Sequence, residues 1–246
     1  MSVRMAIGIL TILLTYSAAS LCSATDEASM SVDFEAVQAS KYVWRGLVCN
    51  DEPVMQPSLT ASWQSGISFN LWGSFDQTDF GGTKGKFSEL DYTLSYDWHS
   101  GGKDWTIGYS IYTYPNTSSA GTSEIIANCD FGGPLGANLS LARDIREANG
   151  LYLGLGWSKT ALIKNRSVDI SGELGFSDKR ISGYYYGVKS AGLSNASICI
   201  EMPVDSHGGW TITPSIAYTR VLRQSLRAAV DSPDNYIFGV KLAKTF

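Results

Sequence analysis

Four things are scarce in this 246-residue chain: long apolar runs, histidine, cysteine and positive charge. Beyond the N-terminus no run approaches the roughly 18 apolar residues that a spanning helix needs, which excludes a helical membrane protein. The two histidines, His99 and His207, stand apart from any metal-ligand spacing, and neither a phosphate loop nor a Gly-Xaa-Ser-Xaa-Gly motif occurs. No cofactor and no metal site are therefore expected. Nineteen Lys and Arg against 23 Asp and Glu give a net charge of -4, so there is no electrostatic footprint for nucleic acid. The cysteines, Cys22, Cys49, Cys129 and Cys199, are far apart, and the last three read as small apolar side chains.

What is abundant points the other way. With 25 Gly, 13 Tyr and 7 Trp, and with 44% hydrophobic residues, the composition fits many strands joined by turns. The one apolar run, Met5 to Leu14, follows Arg4 and precedes small residues through Ala24, which predicts a secretory signal peptide over 1–24. Cys22 raises lipidation as an alternative, against which Leu21 is a poor fit. Residues 25–246 then form one domain.

Its last stretch, Asn235 to Phe246, alternates Tyr236, Phe238, Val240 and Leu242 with smaller or polar residues up to a terminal aromatic. Chain ends ordinarily fray, so a strand pattern running to the final residue marks the C-terminus as structural, as in an outer-membrane β-barrel. Lys244 breaks the parity, at a position where a lysine reaches the headgroups. The same period of two recurs throughout. Leu90, Tyr92, Leu94, Tyr96 and Trp98 interleave with Glu89, Asp91, Thr93, Ser95 and Asp97, a sorting only an extended segment produces. Counting such stretches predicts an all-β, antiparallel transmembrane barrel of about 12 strands, beginning near 31–40, with Tyr184 to Ser190 as the ambiguous segment. Connections alternate in length, short after even strands and mostly longer after odd ones, with the link after strand seven a short exception. Short periplasmic turns and longer outer loops have this pattern. Trp63, Trp98, Trp105, Trp157 and Trp210, with Phe246, fall toward one rim, which predicts an aromatic girdle at the membrane interface.

The run Ser40-Lys41-Tyr42-Val43-Trp44-Arg45-Gly46, followed by Pro53, Gln56 and Pro57 and then Leu71-Trp72-Gly73-Ser74, resembles the bacterial TorF-type porin family. The match covers about residues 38–75. It implies an outer-membrane barrel with channel function whose substrate is not established, and it carries over no functional residues.

Residues of opposite parity to the apolar stripes should face the lumen. They include Glu89, Asp91, Glu124, Asp169, Glu173 and Glu201, with Lys241 as the clear basic member, so the expectation is a narrow, cation-preferring pore for small hydrophilic solutes. The alternative is that these carboxylates pair with Lys41, Arg45 or loop arginines and plug the barrel. Lys41 and Arg45, with Tyr42 and Trp44 beside them, line a constriction in one reading and form rim ion pairs in the other. The long loops at 76–88 and 177–193 also suit an adhesive barrel that binds a surface partner. Both histidines fall in periplasmic turns, away from the outer leaflet where barrel lipases and acyltransferases work, so enzymatic activity is not expected. Expected partners are outer-membrane lipid and the barrel-assembly machinery, reached through the C-terminal strand.

Overall fold

A computed structural model describes residues 30–246. The expected signal peptide and Cys22 lie outside the described residues. The strands are β1 (Met30–Ala39), β2 (Tyr42–Trp44), β3 (Leu47–Asn50), β4 (Val54–Trp63), β5 (Ile67–Asp76), β6 (Lys86–Ser100), β7 (Lys103–Thr113) and β8 (Thr122–Gly132). They continue as β9 (Ala137–Asp144), β10 (Leu151–Ile163), β11 (Arg166–Ser177), β12 (Gly192–Glu201), β13 (Val204–Asp205), β14 (Thr211–Val221) and β15 (Asp234–Thr245). Two short helices, α1 (Lys179–Tyr185) and α2 (Gln224–Arg227), lie in the last two long connections.

Twelve of these strands form a closed antiparallel ring in chain order, with β2 and β3 outside it and the two-residue β13 added at a turn. Pairing of β12 with β14, and of β1 with β15 from Asp33↔Thr245 to Ala39↔Gly239, completes the circuit. The terminal Phe246 takes part, its N–H donating to the Val32 carbonyl at 2.8 Å. Closure leaves no sheet edge, the condition for a β-structure in lipid.

Alternation sets which face is which. Leu94, Leu155 and Phe238 are 56%, 54% and 59% exposed on the outer surface, where a soluble barrel would place polar groups. Inside, polar side chains bond across strands: Ser68 with Ser95 at 2.7 Å, Thr93 with Ser110 at 2.8 Å, and Asn70 Nδ2 to Ser58 Oγ and Thr60 Oγ1, both at 2.8 Å. Apolar outside and polar inside is the inverse of a water-soluble domain. No helix among the described residues is long and apolar enough to cross a membrane.

Three segments differ from the sequence reading. First, residues 42–50, which carry no strand in the sequence reading, form the β2–β3 hairpin, which turns on Arg45 and Gly46 with φ of 45° and 87°. Second, Tyr184 to Ser190 is neither a strand nor an extension of one; it ends α1 and continues as loop, and the 177–193 connection folds inward with Ile181 and Tyr186 buried. Third, Trp157 lies mid-strand in β10, because the β10–β11 hairpin runs on to Lys164 and Asn165 and leaves Leu162 80% exposed beyond its neighbours. Trp157 is nonetheless level with the adjacent β8–β9 turn, since Ser158 N–H points at the carbonyls of Leu135 and Gly136 at 3.2 Å.

The remaining rim aromatics form a band at the same end. Trp98 and Trp105 are opposite in register and stack at 6.2 Å, Tyr96 stacks on Trp98 at 5.9 Å, and Phe34 meets Trp210 edge-on at 6.1 Å. Lys244 lies over Trp210 and Phe246. Trp63 closes β4 at this end.

Candidate functional site

The interior divides into two halves. Toward the short-turn end its inward side chains are polar and partly exposed. Toward the long-loop end it is filled by the β2–β3 hairpin, whose Tyr42, Val43, Trp44, Leu47 and Cys49 pack with Val54, Val221, Leu226 and Ile237 into a cluster of buried apolar side chains. A hydrophobic core thus sits inside the barrel rather than around it.

Local sequence explains why this segment can cross the lumen. Both of its faces are covered, so it does not alternate: Tyr42-Val43-Trp44 and Leu47-Val48-Cys49 are apolar runs joined by a two-residue turn. The turn tip wedges against the far wall, where a Cβ added to Gly46 would lie 3.1 Å from both Asn195 Cβ and Val221 Cγ2. From that tip Arg45 reaches Glu124 on β8. Its Nη1 donates to Oε1 at 2.8 Å and its Nη2 to Oε2 at 3.0 Å, a bidentate pair in which the carboxylate is fully buried. The guanidinium lies 4.2 Å from the ring centroids of both Trp44 and Tyr152, so aromatic faces flank the charge. Tyr112 Oη donates to Glu124 Oε2 at 2.9 Å. Burial disfavours the arginine's charge, but Glu124 outweighs it and leaves the Arg45 pKa above its usual value.

The second inward segment locks the first. Asp178 caps α1, its Oδ1 accepting the N–H groups of Arg180 and Ile181. The following loop presents Tyr186, whose Oη donates to the Arg45 carbonyl at 2.6 Å, while Tyr185 packs on Trp44 at 4.8 Å. Arg223, at the start of α2, holds this segment in place through Ser177, Ser182 and Ser190. Burial, before any neighbouring charge, raises the phenol pKa of Tyr42, Tyr185 and Tyr186.

The residues singled out by parity fall into these two halves. Glu89, Asp91 and Glu124 lie beside the hairpin and are at most 3% exposed, so they are not in water. Glu173 and Asp169 lie on β11; Glu173 accepts from Tyr152 Oη at 2.7 Å and Asp169 from Thr160 Oγ1 at 2.6 Å. Gly175 makes room for the first contact, since a Cβ there would meet Tyr152 Oη at 2.3 Å. Glu201 and Glu35 share Lys241, at 3.9 and 3.7 Å, in the polar half. Lys41 and Arg45 each form an ion pair, at different depths. Arg45 is deep in the lumen, whereas Lys41 bonds Asp51 at the hairpin's base and Asn235 at 3.4 Å. Sequence reading missed Tyr112, Tyr152 and Asn195 as parts of the site. Tyr112 and Tyr152 carry the inward parity beside Ile111 and Leu151, and an aromatic ring on that face signals something to pack against.

Fold and site together define a closed antiparallel 12-strand β-barrel with its first loop folded into the lumen. Among solved structures the chain is similar to the KdgM porin, at a TM-score of 0.53 and 11% identity over 88% of this chain and 99% of that one. It is similar also to the KdgM porin in complex with disordered oligogalacturonate, at 0.54 and 11% over the same shares. The COG4313 outer membrane channel from Pseudomonas putida F1 overlaps at 0.47 with 7% identity, over 90% of this chain and 97% of that one, a score that carries no argument. At these identities the likeness shows the fold alone. No protein-family model and no curated protein sequence matches the chain.

Proposed function

We propose that this protein is a porin-type channel of the bacterial outer membrane, held shut by its first loop and cation-preferring when open. The observation that carries the reading is the hairpin itself. An eight-strand barrel can be filled by its own strand side chains, and twelve strands leave more room than that. Here a separate segment, continuous with the wall strands at Ala39 and Val54, crosses the lumen and ends on an ion pair. Buried ion pairs contribute little net stability because desolvation offsets their attraction, so such a contact suits a part that moves.

The polar half supports the selectivity. Glu35, Asp169, Glu173 and Glu201 line it with Lys241 as the clear basic member, which gives a negative potential that gathers cations and repels anions. The oligogalacturonate bound by the KdgM porin is a polyanion, and this wall would repel it. Small cations and neutral hydrophilic solutes fit better. The TorF-type resemblance over 38–75 includes the hairpin and agrees with a channel, as does export by the expected signal peptide with insertion through β15.

Single-channel recording of the refolded mature protein in a planar bilayer, with reversal potentials under a salt gradient, tests the reading. The wild type should be mostly closed, and a variant with residues 41–52 replaced by a Gly-Ser linker should conduct steadily with cation preference. A linker variant that folds, judged by its heat-dependent gel shift, yet conducts nothing would leave a structural barrel in place of the channel.

A further inference from the structure

Five carboxylates are wholly or almost wholly buried among the described residues: Asp76, Glu89, Asp91, Glu124 and Asp144. Three are satisfied. Asp76 accepts from Thr83 and Ser88, Glu124 from Arg45 and Tyr112, and Asp144 from Thr122 and the backbone N–H groups of Arg146 and Asn149. Glu89 and Asp91 are not. All four of their oxygens are buried and none meets a hydrogen-bond donor. The two residues lie on the same face of β6, two positions apart, so the two carboxyl groups are neighbours.

A separate element faces them. The hydroxyl of Tyr42, on the hairpin and 2% exposed, is directed at Glu89 without a well-aligned hydrogen bond and has no other partner. Ser74, the register partner of Glu89 on β5, is fully buried with its Oγ unpartnered. Nearby cations are committed elsewhere, Arg45 to Glu124 and Lys41 to Asp51.

We propose that Glu89, Asp91, Tyr42 and Ser74 form a binding site for a hard divalent cation, Ca2+ foremost, which fastens the hairpin to the β5–β6 wall. Two carboxylates supply the compensating charge, and hydroxyls from two further elements complete an all-oxygen donor set. Such donors select hard cations, and an irregular arrangement suits Ca2+ better than Mg2+, which demands a near-ideal octahedron. With only two carboxylates the site is weak, with a dissociation constant on the order of 10⁻⁴ to 10⁻³ M. Because Tyr42 belongs to the hairpin and the carboxylates to the wall, the bound ion spans the closing contact. That consequence, though not the site, rests on the hairpin being the closing element.

Tb3+ is the probe, since Tyr42 and Trp72, with ring centroids 5.7 Å apart beside the site, would sensitise its emission. In the refolded full-length mature protein, excitation through the aromatic residues should give saturable Tb3+ emission that millimolar Ca2+ displaces. Glu89→Gln and Asp91→Asn should each weaken Tb3+ binding at least tenfold. Tyr42→Phe keeps the ring and its packing and should weaken it several-fold; it decides the matter if a carboxylate variant loses the heat-dependent gel shift. Asp205→Asn, on the periplasmic side, should change nothing. No saturable emission from the wild type, or emission unaltered by Glu89→Gln and Tyr42→Phe, would overturn the site. Emission that behaves as expected in a protein whose hairpin-replaced variant does not conduct would keep the site and remove the channel.

Discussion

The two halves of the barrel interior are built from the same strands yet obey different rules. In the periplasmic half, inward side chains are short and polar and bond one another across strands, as Asn70 does with Ser58 and Thr60, and its charged groups remain partly solvated. In the outer half, the same inward parity brings Trp72, Glu89, Tyr112, Glu124 and Tyr152 against a foreign surface, and water is replaced by the hairpin. The strand pattern decides which way a side chain points. What it meets there is decided by a loop elsewhere in the chain.

The difference can be erased most completely at the ion pair. Arg45→Ala leaves Glu124 buried and uncompensated, a loss of about 3–5 kcal/mol from hairpin docking. Open probability in bilayer recordings should rise by orders of magnitude, and the further change Glu124→Gln should restore part of the closure. Gly46→Val attacks the tip instead. It forces a β-branched residue to φ +87° and drives its Cβ toward Asn195 and Val221, at a cost of about 1–3 kcal/mol. A smaller rise in open probability, with the barrel's own melting temperature unchanged, should follow.

Alkaline pH should weaken docking in the outer half. Burial raises the phenol pKa values of Tyr42, Tyr185 and Tyr186 in the docked state. A raised acid binds its proton more tightly when docked, so docking keeps full strength below about pH 10, the value of a solvated phenol, and weakens as pH climbs above it. Conductance should therefore increase only beyond that point, and Tyr186→Phe should reduce the slope. The smallest effect belongs to the periplasmic half. Lys241→Ala removes a partly exposed bridge between Glu35 and Glu201 and should change stability by about 0–1 kcal/mol. Reversal potentials of an opened channel should shift toward stronger cation preference without any change in closure.

Most of the barrel was legible because a period of two survives wherever one face meets lipid. Leu90 to Trp98 and Tyr236 to Leu242 could be assigned from spacing alone. The β2–β3 hairpin was not, since a strand covered on both faces loses its alternation and Arg45-Gly46 is not among the familiar turn pairs. Its aromatic content was the available clue. Tyr42, Trp44, Tyr185 and Tyr186 are costly to leave exposed on outer loops, and together with inward Tyr112 and Tyr152 they outline a core. For the same reason the connection at 177–193, read as a surface loop suited to recognition, turned inward on Ile181 and Tyr186.

The docked hairpin carries its own reporter in Cys49, which is buried at 8% exposure. In a background with Cys129 and Cys199 changed to Ser, the rate at which a small polar thiol reagent modifies Cys49 should be suppressed at least a hundredfold in the folded barrel relative to the unfolded chain, and Arg45→Ala should largely remove that protection. Modification of wild-type Cys49 at close to the unfolded rate, in a barrel that still shows its heat-dependent gel shift, would contradict the plug.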